Sequence, residues 1–71
     1  MSNFIKGGFY KHPNNTTVCF EVLNSVSLPN DETEVTLVWW RWYLGKVGYY
    51  IGMQQVFTKK NEYWLEWEKV A

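Results

Sequence analysis

The stretch WWRWYLGKVGYYIGM, residues 39–53, decides the fold, because two aromatic runs flank a turn that contains glycine. Gly45-Lys46 is a Gly-X pair of the kind found in type II′ hairpins. The hairpin predicts antiparallel strands near 34–44 and 47–57. Because side chains alternate along a strand, this hairpin has one wholly apolar face and one mixed face.

The two faces follow from the pairing across the hairpin. On the apolar face, Trp40 is expected opposite Ile51, and on the mixed face Trp39 is expected over Gly52. A four-residue loop over residues 45–48 would leave every side chain on the same face, because both loops pair even-numbered residues of the first strand with odd-numbered residues of the second. The even-numbered residues of the strand near 34–44 are therefore predicted to face the core.

Two earlier turn signals extend the hairpin into a meander. The segments HPNN at 12–15 and LPNDE at 28–32 carry Pro, Asn and Asp, which prefer turn dihedrals. They delimit strands near 3–11 and 16–28. Asn24 interrupts the apolar alternation of the second strand and marks a candidate bulge.

These turns also predict the register and the core. A five-residue loop at 29–33 would pair Val22 with Trp40, and the first turn would place Phe9 opposite Val18. All three turns then agree on one buried face. The predicted core comprises Ile5, Phe9, Val18, Phe20, Val22, Val38, Trp40, Trp42, Tyr49, Ile51 and Met53.

The C-terminal segment NEYWLEWEKVA must help to cover this apolar face. Asn61 suits a helix N-cap, and Tyr63 and Trp67 recur at near-helical spacing. The alternation of Tyr63, Leu65 and Trp67 would also suit a fifth strand. Residues 61–70 are therefore predicted as a short helix or a strand, with a slight preference for the helix.

Length and composition describe one small, neutral domain. A chain of 71 residues has room for a single core, and its seven basic and seven acidic residues cancel. The single cysteine, Cys19, excludes an intramolecular disulfide framework. No signal peptide or membrane-spanning run is visible, so we expect a cytoplasmic protein that does not act at a membrane.

Several short motifs resemble small SH3-like β-barrel proteins of unknown function, which are common in bacteriophages and bacteria. GGFYKHP, CFEVL and QQVF carry the resemblance, together with the Trp39-Trp40 pair and the terminal Glu66-Trp67. The resemblance implies an all-β fold and a phage-type origin, with the host cytoplasm as location, but no activity. We therefore predict one domain over residues 1–71, either a small SH3-like barrel or a curled four-to-five-stranded antiparallel meander.

The sequence offers no arrangement that suits catalysis. His12 lies in a predicted turn with no second histidine, and Cys19 lies in mid-strand, where only distant contacts could supply the basic neighbourhood that a reactive thiol needs. Asp31, Glu32 and Glu34 lack the spacing of a calcium loop. We therefore predict that the protein is not an enzyme and has no metal, cofactor or small-molecule substrate.

The mixed face is the candidate binding surface. It combines one guanidinium with aromatic side chains: Trp39, Arg41, Tyr43 and Tyr50, with Tyr10 alongside. Such residues dominate protein interfaces, so a protein partner or self-association is the leading prediction. Stacking of unpaired bases on the same face, as in single-stranded nucleic-acid binding, is the alternative. A cage for methylated lysine ranks lower, because Arg41 would repel the cation.

Overall fold

The computed structural model describes residues 4–71, which form one antiparallel five-stranded sheet. The elements are β1 (Phe9–Lys11), β2 (Val18–Leu28), β3 (Glu32–Tyr43), β4 (Lys46–Lys60), helix α1 (Asn61–Trp64) and β5 (Glu68–Lys69). Across the sheet the order is β4-β3-β2-β1-β5, so the last strand lies beside the first. Strands make up 63% of these residues, which confirms the all-β class.

The first strand is shorter than predicted and pairs in a different register. The expected start at residue 3 lies outside the described residues, as do residues 1 and 2. Phe9 pairs with Glu21 rather than with Val18. The loop between β1 and β2 is longer than predicted: the Asn15 side chain accepts hydrogen bonds from the backbone of Thr17 and Val18 at 3.0 and 3.2 Å, and β2 starts only at Val18.

A three-residue turn joins β2 to β3, where a five-residue loop was predicted. Leu28 pairs with Glu32, and both Asn30 and Asp31 adopt positive φ, of 65° and 61°. Asn and Asp tolerate this conformation better than other residues that carry a Cβ. The turn signal was therefore correctly placed, but the turn is tighter than expected.

A β-bulge in β2 inverts the predicted faces of β3. The ladder is regular from Leu28 to Asn24, but β2 then advances two residues while β3 advances one, which leaves Leu23 as the extra residue. The predicted bulge near Asn24 is thus confirmed. Beyond it Val22 pairs with Leu37 rather than with Trp40, so odd-numbered residues of β3 face the core.

The β3–β4 hairpin turns one residue earlier than predicted. Tyr43 pairs with Lys46, so Leu44 and Gly45 form the turn, both with positive φ as a type I′ turn requires. From the pair Trp42 and Val47 to the pair Leu37 and Gln55, β4 advances eight residues and β3 only five. Three extra residues therefore bend β4 away from a flat ladder.

These irregularities change the partners along β4. The predicted contact of Trp39 with Gly52 is confirmed, but Trp40 pairs with Tyr50 instead of Ile51. Gly52 has a φ of 97° and Met53 one of 57°, so the bend is concentrated there. Three residues that were predicted in the core are exposed as a result: Tyr49, Ile51 and Met53.

The C-terminal segment forms both a helix and a strand, the two alternatives predicted for it, one after the other. After α1, the strand β5 pairs with β1 through Tyr10 and Lys69. Asn61 is not the N-cap, because the helix begins at it and its side chain donates to Asp31 Oδ1 at 2.9 Å. No helix within residues 4–71 has the length and apolar character needed to cross a membrane.

The core lies on the face of the sheet that α1 covers. Its buried members are Tyr10, Phe20, Val22, Val35, Leu37 and Trp64, and Phe4, Trp39, Phe57 and Trp67 pack against them. Phe20 and Val22 confirm the sequence prediction, and Val38 is buried as expected but outside this cluster. Ile5 is exposed, while Phe9, Val18, Trp40 and Trp42 are only partly buried.

Candidate functional site: an aromatic cleft

A cleft opens where the sheet does not close. No pairing joins β4 to β5 among the described strands, and a space of about 240 Å³ lies beside β4 and the C-terminal segment. We call it the aromatic cleft, because six of its eight lining residues are aromatic. The lining residues are Phe20, Leu37, Trp39, Phe57, Lys59, Tyr63, Trp64 and Trp67.

The sheet supplies one side of the cleft through regular pairing. Leu37 pairs with Gln55, and the ladder runs without a shift from there to the end of β4. Side chains two residues apart in such a ladder share a face, so Phe57 and Lys59 both lie on the side of Leu37. Phe20 stands edge-on to Trp39, with ring centroids 5.8 Å apart.

The C-terminal segment supplies the other side. Trp64 is only 3% exposed, and its indole N–H donates to the carbonyl of Thr33 at 3.0 Å. This bond fixes α1 to β3. The backbone then turns, with Trp67 N donating to Trp64 O at 3.1 Å, and this turn brings the second tryptophan to the cleft.

Trp67 has a polar group that nothing in the described chain satisfies. Its Nε1 is buried and has no hydrogen-bond partner. The ring is held by Phe20, at 4.9 Å between centroids, and by His12 at 5.2 Å. His12 is itself paired with Glu66 at 2.8 Å. A buried donor without an acceptor costs about 1–3 kcal/mol, so an acceptor reaching this N–H would recover part of that free energy.

Lys59 is the one charged residue that lines the cleft. Lys59 Nζ lies 5.2 Å from the ring centroid of Tyr63, which is a cation–π contact at a position open to solvent. The Trp39 indole N–H donates to Gln55 Oε1 at 2.7 Å. The cleft therefore combines broad aromatic surface with one positive charge, and its wall residue Trp67 carries a buried N–H that has no partner among the described residues.

The structure does not bring the five predicted binding residues together. Tyr10 is 5% exposed and belongs to the core, where its hydroxyl accepts a hydrogen bond from the Ile5 amide at 2.9 Å. Trp39 packs on the same core and lines the aromatic cleft. Tyr10 is thus removed from the candidate surface, and Trp39 is placed in a different site.

The other three predicted residues lie toward the free end of the β3–β4 hairpin. Tyr43 and Tyr50 are more than half exposed, and Arg41 is partly buried. The Tyr50 ring stands edge-on to Trp40 at 5.2 Å. Because neighbouring residues of a strand point to opposite faces, this contact places Tyr50 across the sheet from Trp39.

Sequence reasoning missed most of the cleft. Phe57, Lys59 and Trp64 were not predicted as site residues, although the segment NEYWLEWEKVA was expected to cover the apolar face. The sequence did contain one signal of the cleft: this segment carries two tryptophans and one tyrosine, more large aromatic side chains than one turn of helix needs to pack on a sheet. The gap that they border depends on strand pairing between distant segments.

Cys19 and the acidic side chains of residues 4–71 do not line the cleft. Cys19 is fully buried, and burial raises the pKa of its thiol against a smaller opposing effect of Lys11. In the described part of the chain, no three His, Cys, Asp or Glu side chains gather as a metal site would require. Comparison of the sequence and fold with protein-family models, curated proteins and solved structures yields no match.

Proposed function

We propose that this domain is a non-enzymatic binding module that holds an apolar side chain of a protein partner in the aromatic cleft. The observation that carries the proposal is a cleft walled by aromatic rings, one of which, Trp67, has a buried Nε1–H without an acceptor among residues 4–71. Aromatic pockets with a few placed polar groups are typical of binding sites.

The size of the cleft supports a side chain as occupant. About 240 Å³ is less than the roughly 300–1,000 Å³ of pockets that enclose a drug-sized ligand. One large apolar residue would fill much of this space. Anchors of this kind, set in a desolvated pocket, supply most of the affinity in protein interfaces.

The unpaired donor supports a peptide rather than a plain hydrocarbon. Each residue of a partner chain brings a backbone carbonyl next to its side chain. Such a carbonyl could accept a hydrogen bond from Trp67 Nε1, which is buried without an acceptor among residues 4–71, once the ring shifts to expose it. One residue of the partner would thus place its side chain against the aromatic walls and its carbonyl against the Trp67 N–H.

Single-stranded nucleic acid is the second candidate, and Lys59 is the observation that favours it. A base could stack on the aromatic walls while the ammonium near Tyr63 meets a phosphate. The adjacent Lys60 is already engaged, as its Nζ donates to the carbonyl of Asn30 at 2.8 Å. The net charge of zero favours the protein partner, because nucleic-acid binding is usually accompanied by a basic excess.

Indole N–H resonances provide a direct test. We expect N-acetylphenylalaninamide to shift the Trp67 Nε1–H signal in a ¹⁵N–¹H spectrum with saturation, while N-acetylglycinamide at equal concentration does not. Trp67→Phe keeps a ring but removes the donor. Followed through the indole signal of Trp39, which also lines the cleft, this variant should bind the phenylalanine probe roughly 2–10-fold more weakly, the net value of one hydrogen bond.

Each remaining outcome has a defined meaning. The Trp67 signal could instead move only with oligothymidylate, with an affinity that falls steeply as salt rises. That result would identify single-stranded nucleic acid, and not a protein, as the ligand class. A signal that moves with neither probe would contradict both. Trp40→Phe is the matched control, since the Trp40 indole already donates to Glu21 Oε1 at 3.1 Å and lies outside the cleft.

A further inference from the structure

The free edge of β4 lies beside the aromatic cleft. β4 is the outer strand of the sheet, and no described strand pairs with its other side. The ladder with β3 runs without a shift from Gln55 to Lys60, so this part of the edge has no bulge. Residues 54–58, QQVFT, contain neither proline nor a charged side chain, which commonly protect an edge strand. The edge is therefore regular, and charge enters it only at Lys59 and Lys60.

The hydrogen-bonding pattern identifies the backbone groups that this edge leaves unused. Asn61 N donates to Asp31 O at 2.9 Å, so the ladder continues as a hydrogen-bonded pair one position beyond the end of β4. Because bonded and non-bonded pairs alternate in an antiparallel ladder, Thr58 and Val56 belong to non-bonded pairs. Their N–H and C=O groups therefore point away from β3. Within residues 4–71, no backbone group outside the sheet ladders bonds to them, and both residues are exposed.

We propose that an extended segment of a partner protein adds to this edge as a further antiparallel strand. The proposal rests on the function proposed above, since a side chain of the same segment is the occupant of the cleft. An extended backbone offers donors and acceptors at the two-residue spacing of Val56 and Thr58. The antiparallel orientation matches every other pairing in the sheet and is slightly more stable per residue than the parallel one.

The same register carries a side chain of the added strand into the cleft. Side chains that face each other across a ladder lie on one side of the sheet, so the partner residue opposite Phe57 projects beside the Phe57 ring. Phe57 lines the cleft, whose volume suits one large apolar side chain. That partner residue lies in a non-bonded pair and turns its own N–H and C=O away from β4. Its carbonyl thus stays available to Trp67 Nε1.

Lys59 adds a preference for an acidic residue in the partner. It lies two positions from Phe57 on the same face of β4 and also lines the cleft. The ion pairs among the described residues do not include Lys59, whose ammonium contacts the ring of Tyr63. In an antiparallel segment, the residue opposite Lys59 comes two positions before the residue opposite Phe57. The preferred partner is therefore an extended segment with the pattern acidic residue, any residue, large apolar residue.

A pentapeptide with this pattern, Ac-Thr-Glu-Thr-Phe-Thr-amide, tests the arrangement on the unaltered domain. We expect it to slow the exchange of the Val56 and Thr58 amide protons with water and to shift the Trp39 indole signal with the same saturation. A methyl group on the nitrogen of the central threonine, which faces Thr58, should weaken binding at least about tenfold, because it removes a donor and holds the strands apart. The same methyl group on the phenylalanine nitrogen, which points away from β4, is the matched control and should change the affinity less than about threefold.

The outcomes separate strand addition from binding in the cleft. A Trp39 signal that moves while Val56 and Thr58 exchange as before would overturn strand addition and leave the cleft as the binding site. Equal losses of affinity from the two methyl groups would overturn it too. If neither the indole nor the amides respond, the function proposed above fails as well.

Two further measurements test the identity of the added strand. A pentapeptide with glutamine in place of glutamate should bind about 1.5–5-fold more weakly, the value of an exposed ion pair, and equal affinity would contradict the acidic preference. Sedimentation velocity of the domain alone should show a monomer. A dimer in which Val56 and Thr58 are protected without peptide would identify a second copy as the strand on this edge and overturn the proposal.

Discussion

Trp64 is the residue on which the closure of the core depends. It contacts Phe4 edge-on at 5.1 Å between ring centroids and bonds to the Thr33 carbonyl at the same time. Its neighbour Tyr63 is 44% exposed. The two adjacent aromatics therefore have different roles: one fills the core and the other borders the cleft.

Substitution of Trp64 should show this difference. Trp64→Ala should lower the free energy of unfolding by about 3–5 kcal/mol, because it empties a large buried volume. Trp64→Phe should cost about 1–3 kcal/mol, since the Thr33 carbonyl loses the indole donor. Urea denaturation measures both. Tyr63→Ala serves as the control with a loss of about 1 kcal/mol or less, and an equal loss for Trp64→Ala would contradict this account.

Cys19 should be inert in the folded protein. The side chain is fully buried, and its raised pKa leaves less thiolate at any given pH than an exposed cysteine has. We expect a disulfide reagent such as DTNB at pH 8 to react at least about 100-fold more slowly with the native chain than with the urea-unfolded chain. Similar rates in both states would show that the thiol is accessible.

At the scale of elements, the positions of strands and turns were predictable, but the register was not. The segments HPNN and LPNDE mark real turns, and the five strands lie close to the apolar runs. One extra residue at Leu23 then shifts the pairing and exchanges the faces of Trp39 and Trp40. Asn24 signalled a bulge, but a pattern of side chains does not show which way the pairing continues beyond it.

The β3–β4 turn offers a test at this scale. Leu44 has a φ of 53° and is 79% exposed, so it combines an unfavourable backbone conformation with an exposed apolar side chain. Leu44→Asn would create Asn-Gly, the preferred type I′ sequence. We expect the free energy of unfolding to rise by about 0.5–1 kcal/mol.

Leu44→Ala separates backbone from side-chain effects in the same measurement. Alanine also removes the exposed leucine but tolerates positive φ no better, so its stability should stay within about 0.5 kcal/mol of the wild type. Equal stabilisation by Asn and Ala would assign the gain to the lost leucine. The thermal midpoint and urea midpoint of each variant give the comparison.

At the scale of the whole molecule, the candidate site could not be read from the sequence. Of the five predicted residues only Trp39 lines the cleft. The cleft brings together Phe20, Phe57 and Trp67. Along the chain, Phe57 follows Phe20 by 37 residues and Trp67 follows Phe57 by ten. Their approach depends on where the sheet stays open between β4 and β5, and local periodicity does not specify this gap.

The pairing of β5 with β1 also has a consequence for biosynthesis. Translation proceeds from the N-terminus, so β1 to β4 are all made before Trp64 and Trp67, which complete the core, and before β5. Until residues 61–69 leave the ribosome, Phe20 and Leu37 lack the cover that Trp64 and Trp67 provide. A nascent chain paused at that point would expose an incompletely covered apolar face, to which chaperones or other unfinished chains can bind.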